Sequence, residues 1–454
     1  MVPKVPRSVP LASLQAIWAL VVLGGCPPRV ELGPSVVKRA GEPVSVVEHC
    51  ESDAEELVLQ ALVRAGSAFD PPGKEGLAYL VGRATSEPLA ALEDARLQVL
   101  VDREWVLFEL ACPASRSDAC TDALVTALTA PSLVSASVVP VVEEVASWSP
   151  DAASVADEVL HAWVFEAHPY GHPVQGRSGV VSILTAQDAD AFHRRHYVRE
   201  AVWVGVAGAC PADGSVQRGL EALAGERAPE LVLQSPSRVD AHTALVVSLP
   251  GAGTAVRLAT PVEGGEEAWP ALALAQALGT GCEERLEALL VDRLPRRQAH
   301  LVVQGSSAGD ALGVVREAAQ QWGALRRGAL DEQDVSAALQ CLVEVTERLA
   351  ATPRLRLRGA LLAEAAGGED PLSMLQAWAG SADTAAATEA LSRLGGPPAA
   401  RWVVVTGQAD RLAGILVEEN VLSDVYTDVG GDSPEATAFE PGCVRVVPAM
   451  EIFR

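Results

Sequence analysis

The chain has 454 residues, 49% hydrophobic and 21% charged, with 35 Lys+Arg against 59 Asp+Glu and a formal charge of −24. At about 150 residues per domain this length gives two or three domains with real cores, and the apolar content excludes a wholly disordered chain. The acidic balance argues against nucleic-acid binding, which needs clustered cations, and against a basic helix lying on a membrane.

Lys4 and Arg7 precede a largely apolar run, Leu11 to Leu23, that closes on Leu23-Gly24-Gly25-Cys26. A short charged-then-apolar start ending in small residues reads as a secretory signal, not a spanning helix. The ending resembles the bacterial lipobox. That resemblance implies lipidation at Cys26 and a lipid-anchored place in the bacterial cell envelope. Pro27 after the cysteine favours the outer membrane, facing the periplasm. The expected organisation is a signal peptide at 1–26, a Pro/Gly-bearing tether at 27–42, a first domain at 43–212, a linker at 213–240 and a second domain at 241–454. Seven cysteines remain beyond Cys26, and none forms a C-x-x-C pair, so a zinc ribbon or thioredoxin-like site has no support. In an oxidising compartment Cys112 and Cys120 are placed to bridge a short loop. The odd count leaves at least one thiol free, and the other pairings stay open.

In chain order, the apolar run Leu57 to Val63 reads as a buried strand, followed by a turn-rich loop at Asp70 to Lys74. A helix is expected over Gly76 to Leu100, a strand over Trp105 to Leu110, and helices over Thr121 to Leu128 and Ser154 to Phe165. Ala201 to Ala207 is a strand. The second half repeats the outline, with a strand at His242 to Leu249 and helices at Glu266 to Leu278 and Glu283 to Arg293. A strand follows at Leu301 to Val303, then helices at Ala311 to Leu325 and Asp331 to Leu349, and a strand at Trp402 to Gly407. The class is α+β, with two halves that look like distant copies.

Three stretches carry a family resemblance. Residues 64–80, RAGSAFDPPGKEGLAYL, resemble the strand, loop and G-L-A-H helix start of the pitrilysin/insulinase peptidases, the inverzincins that include the mitochondrial processing peptidases. Residues 165–176, FEAHPYGHPVQG, with Ile183 to Asp188, Phe192 and His196-Tyr197, resemble the family's H-P-Y-G, L-T-x-x-D and F-x-x-x-Y-Y run. Residues 278–286, LGTGCEERL, are similar to the L-G-G-G-x-x-S-R-L of its second domain, with Arg285 at the arginine. The ordered set implies two homologous insulinase-type α/β-sandwich domains in tandem, facing each other around a cavity that admits extended peptides.

The same resemblance places the family's H-x-x-E-H zinc motif on Tyr79-Leu80-Val81-Gly82-Arg83. Zinc chemistry there needs two neutral imidazoles one helical turn apart and a carboxylate to take a proton from the metal-bound water. A phenol is a poor ligand at neutral pH, Gly82 has no side chain, and Arg83 repels a dication. The family's third ligand, a glutamate on a later helix, falls on Glu144, with Glu143 as the other candidate. The expectation is therefore no catalytic residue and no metal or zinc cofactor at degenerate positions Tyr79, Gly82, Arg83 and Glu144. Arg83 would then occupy the ion's place and pair with Glu144, or else point to solvent. Histidines 161, 168 and 172 with Glu166, and His193-x-x-His196, match no known ligand spacing and read as structural. No G-x-S-x-G elbow or phosphate-binding loop occurs.

Family members of this length often work in pairs, one bearing zinc and one not. The resemblance thus implies a non-catalytic, lipid-anchored subunit partnering an active zinc peptidase of the same fold and helping to hold peptide. An active metallopeptidase with a non-standard zinc site, and a peptide-binding scaffold independent of proteolysis, are the alternatives.

Overall fold

A computed structural model describes residues 44–454, except 52, 166–167, 212–213, 226–227, 232–240, 262–267, 279–280, 292–299, 367, 395–398, 420, 422–438 and 454. Cys26, the tether, Glu166 and much of the expected linker therefore lie outside the described residues.

Runs of β-branched and apolar residues build two five-stranded sheets. The first contains β1 (Ser45–Cys50), β2 (Glu56–Val63), β3 (Arg96–Val101), β4 (Val106–Pro113) and β5 (Val202–Gly208), in the order β1-β5-β2-β4-β3. The second contains β6 (Thr243–Ser248), β7 (Thr254–Pro261), β8 (His300–Ser307), β9 (Arg401–Thr406) and β10 (Val444–Pro448), in the order β10-β6-β9-β7-β8. In the first sheet β1 runs parallel to β5, and β2 is antiparallel to both β5 and β4. In the second, β6 runs parallel to β9, and β7 is antiparallel to both β9 and β8. Order and direction repeat over four strands, β1-β5-β2-β4 matching β6-β9-β7-β8, while β3 and β10 are added at opposite ends of the two sheets.

The helix expected over Gly76 to Leu100 is shorter. It is α1 (Leu77–Thr85), followed by a single turn at Glu87–Ala90, and Arg96–Val101 is the strand β3. Asp94 has a positive φ of 59°, a conformation that helices do not continue through. Beyond it Arg-Leu-Gln-Val-Leu-Val alternates with the period of a strand. Within the span expected as linker, Ser215–Leu220 is a short helix, with Val216 and Leu220 buried in the first core.

The first half adds α2 (Ser117–Thr129), α3 (Ser135–Ser147), α4 (Ala152–Val164) and α5 (Ala186–His196). The second adds α6 (Trp269–Ala277), α7 (Cys282–Val291), α8 (Ala311–Arg327), α9 (Glu332–Ala350) and α10 (Pro353–Ala366), with further helices at Pro371–Ser381, Thr384–Arg393 and Ala409–Glu418. Each sheet receives one helix from the other half: α4 lies on β7 and β9, and α10 lies on β5, β1 and β2. Gly205 makes the second crossing possible, because a Cβ there would sit 2.8 Å from Leu357 of α10. Val155, Val159 and Leu160 of α4 share a core with Val247, Val403 and Val405, while Leu361 and Leu362 of α10 share one with Trp105 and Trp203.

Ion pairs pin both crossings. Glu109 of β4 is almost fully buried and accepts from Arg354 (2.6 Å) and Arg358 (3.1 Å) of α10. Gln60, its cross-strand neighbour, donates to Glu109 (2.7 Å) and to the Arg354 carbonyl (2.8 Å). In the mirror crossing, buried Arg257 of β7 donates to Asp157 of α4 at 2.8 Å.

Three disulfides staple the halves internally: Cys50–Cys210, Cys112–Cys120 and Cys282–Cys341. The local bridge is the one legible in the sequence, and Cys443 is the free thiol among the described residues. Removing the buried carboxylate from a cationic cluster costs about 3–5 kcal/mol. Glu109→Ala is therefore expected to lose that much in urea unfolding at neutral pH, and a loss below about 1 kcal/mol would show that Glu109 does not hold the crossing.

Candidate functional site

The helix on which the resemblance places the family's metal motif is α1, and the sequence explains how it is held. Gly76 precedes it with φ of 99°, and a Cβ there would lie 2.6 Å from the Gln175 carbonyl. Glycine thus permits both the turn and the close approach of the PYGHPVQG loop. Asp70 accepts from the amides of Gly76 and Ala78, each at 2.7 Å, and so satisfies donors at the helix start. Burial pushes the Asp70 carboxyl well above the usual carboxylate range, against the pull of those two amides. Lys74 of the same loop pairs with Asp188, which forms a capping box with Thr185 at the start of α5.

Tyr79 and Arg83 lie one turn apart on α1, and both reach Glu144 of α3. The Tyr79 hydroxyl donates to Glu144 Oε1 at 2.7 Å, while Arg83 Nε and Nη2 both reach Oε2 at 3.3 Å. Of the two orientations open to Arg83, the structure takes the pairing one. Burial, then the Glu144 carboxylate, holds the Tyr79 phenol far above its ordinary range, so it remains a donor at any physiological pH. Gly82 is buried against β3 and β4, where a Cβ would meet Val101 at 3.0 Å and Val106 at 3.2 Å. The place of the family's general base is filled by valine side chains.

These residues do not fit zinc. The one carboxylate that converges on the site is spent on a phenol and a guanidinium, and a fixed cation stands beside it. Among the described residues, no group of three histidine, cysteine, aspartate or glutamate side chains is placed to hold a metal ion.

His168, His193 and His196 are buried. His193 stacks on Tyr197 and His196 on Phe192, with ring centroids 4.3 and 4.2 Å apart. The H-P-Y-G turn is equally internal. Tyr170 is fully buried, its hydroxyl bonded to Glu104, and its carbonyl accepts from Arg103 at 3.0 Å. In the second half, Arg285 donates to the carbonyls of Gln276 (2.7 Å) and Leu278 (2.5 Å) at the end of α6, a capping role suited to a cation. Gly279 and Thr280 of that motif lie outside the described residues.

Beside the Arg83–Glu144 contact lies a cavity of about 490 Å³, walled by Leu97 and Val99 of β3, Pro140 and Val141 of α3, and Ser86 and Glu87. Among the described residues β3 is an edge strand, paired with β4 alone. Sequence reasoning did not find this open edge, because it absorbed β3 into a helix; the period-two pattern of 96–101 was the available signal. It also missed the Gln60–Glu109–Arg354 cluster. A lone polar residue inside an otherwise apolar strand, as in ELVLQALV and VLFELACP, is the mark of such a buried partner.

No protein-family model matches the chain. Uncharacterized zinc proteases of Mycobacterium bovis and Mycobacterium tuberculosis are 33% identical to it over 153 residues, 32% of this chain and 35% of theirs, so the match spans about a third of those relatives. A protease from Helicobacter pylori superposes with a TM-score of 0.67 at 15% identity, over 83% of this chain and 100% of that one. A peptidase M16 inactive domain from Pseudomonas fluorescens gives 0.63 at 14%, over 82% and 97%. A chain of complex III2 from Candida albicans gives 0.65 at 12%, over 83% and 97%. The architecture is thus that of the two-half, M16-like peptidase fold. That likeness in fold, and the partial match to the zinc proteases, agree with the insulinase-type resemblance of the three sequence stretches.

Two predictions follow from this geometry. Arg83 and Glu144 are both more than a third exposed, so their pair contributes at most about 1 kcal/mol. Arg83→Gln is expected to change urea-unfolding stability by less than that and to leave far-UV circular dichroism unchanged. Burial pushes the His193 and His196 imidazoles down to about 4. A lowered folded-state value means stability present above the ordinary value near 6.5 and lost as pH falls towards 4, at about 1.4 kcal/mol per pH unit for each group. The stability advantage of the native protein over His196→Asn is therefore expected to shrink steadily between pH 6.5 and 4.5, and a constant difference would contradict a buried neutral imidazole.

Proposed function

We propose that this chain is a non-catalytic insulinase-type subunit, exported and lipid-anchored through Cys26. In this reading it partners an active zinc peptidase of the same fold and helps form that enzyme's peptide-binding chamber. The observation that carries the proposal is the Glu144 carboxylate, which accepts from Tyr79 and Arg83 where an active member would hold an ion. A buried Gly82 packed on Val101 and Val106 supports it, because a general base has no room there. The likeness to an M16 inactive domain is consistent with a silent member of the fold.

Three disulfides favour an oxidising compartment and hence export to the envelope. Among the described residues no helix is long and apolar enough to cross a membrane, so the proposed attachment is the lipid. For peptide, β3 is an edge strand among the described residues and lies beside the degenerate site, a surface suited to an added strand.

The test is made on purified full-length protein. It is expected to contain no stoichiometric zinc, to leave casein and unstructured peptides uncut, and to co-purify with an H-x-x-E-H relative produced in the same cells. Stoichiometric zinc with chelator-sensitive cleavage would sink the non-catalytic reading and favour the active metallopeptidase. Isolation of the chain alone, inactive but still able to bind peptide, would favour the scaffold.

A further inference from the structure

β1 forms the other edge of the first sheet, paired among the described residues with β5 alone. Its two ends are held differently. At its start, Gln217 donates to the Val44 carbonyl (3.2 Å), and Ser45 Oγ donates to Glu364 of α10 (2.9 Å). Val47 packs against both apolar clusters that seat α10, one containing Leu361 and the other Leu357. At the far end Glu48, His49 and Cys50 are exposed. There the ladder to Val206, Ala207 and Gly208 is reinforced by the Cys50–Cys210 bridge. Gly208 also lines a cavity of about 560 Å³ between the halves, which Thr352 to Arg354 close from the second half.

The three bridges differ in access to solvent. Cys112 and Cys120 are buried. Cys282 and Cys341 are half-buried, as is Cys210, whereas Cys50 is exposed. Thiol–disulfide exchange begins with a thiolate reaching one sulfur of the bridge, so access ranks the three. Charge adds a second selection. Exposed Glu48 and Glu51 flank Cys50 and repel an anionic thiol more than a cationic one.

We infer that the Cys50–Cys210 bridge is a redox clip. A dithiol reductant opens it before the other two, and β1 then frays from its Cys50 end and loosens the edge on which α10 is seated. A reductant thiolate attacks Cys50 Sγ, and Cys210 leaves as a thiolate that takes a proton. The second thiol of the reductant attacks the mixed disulfide and releases Cys50. The bridge gains two electrons and two protons, and the dithiol becomes a disulfide. Without the bridge, an edge strand of six residues with half its length exposed has little burial to hold it. This inference does not depend on the proposed partnership with a peptidase.

The test uses the full chain and limiting dithiothreitol, with iodoacetamide trapping and peptide mapping. Cys50–Cys210 is expected to open first and Cys112–Cys120 last. At pH 7 cysteamine, a cation, is expected to open the clip roughly threefold faster than anionic glutathione, as exposed charges of this kind allow, with the difference shrinking in salt. In the singly reduced, alkylated protein, amide exchange along Glu48–Cys50 is expected to rise about tenfold. A smaller rise is expected in α10 near Leu361, and none in β6, β7 and β9. Cys50→Ser/Cys210→Ser is expected to reproduce this pattern without reductant. Should that variant fail to fold, the trapped native chain gives the same reading. Earlier opening of another bridge, or unchanged exchange in β1 once the clip is open, overturns the inference. A uniform rise across the whole first sheet overturns it too, since the bridge is then a general staple. Equal rates for the two thiols overturn the selection by Glu48 and Glu51.

Discussion

The exchange of one helix between the halves is the constraint on which the rest of the molecule depends, and the Glu109 carboxylate shows why it is stable. Glu109 sits in the middle of a sheet, nearly out of water, facing a helix from the other half. Burying that charge is costly unless it is paired. Arg354 and Arg358 supply the pairing, and Gln60 adds a hydrogen bond to the same carboxylate. Arg257 and Asp157 repeat the device with the signs exchanged between helix and sheet. Because each half contributes a layer to the other, their relative position is set by packing. The cavity between the halves and the flank of β3 follow from that placement.

On this scaffold the helix that the resemblance aligns with the family's metal motif carries residues that do not suit an ion. Asp70, Gly76 and the PYGHPVQG loop still hold the start of α1, and the capping box at Thr185 still ties α5 to the same loop through Lys74. The residues that differ are those an ion would need. A phenol and a guanidinium now satisfy the late glutamate, and β-branched side chains fill the space of the general base. The exposed Arg83–Glu144 pair contributes little to stability. What it does is occupy the carboxylate, and that is an electrostatic rather than a structural consequence.

Much of the candidate site was legible from residue chemistry. Tyr79, Gly82 and Arg83 exclude the zinc motif whatever their surroundings, and the ordered stretches pointed to the family and to Glu144. The histidines read as structural because their spacing suited no ion, and the structure stacks His193 on Tyr197 and His196 on Phe192. The open edge at β3 was not legible, because Gly76 to Leu100 reads as one helix until the turn at Asp94 is seen. The Glu109 cluster was not legible either, because Arg354 lies 245 residues further along the chain.

The sequence by itself determined the class, the repeat, the local Cys112–Cys120 bridge and the absence of zinc ligands on α1. Those depend on residue type and short spacing. Only the tertiary structure decided where Arg83 points, which distant cysteines pair and which helices cross between the halves. Each of those depends on contacts between residues tens to hundreds of positions apart, where the local pattern carries no record of the partner.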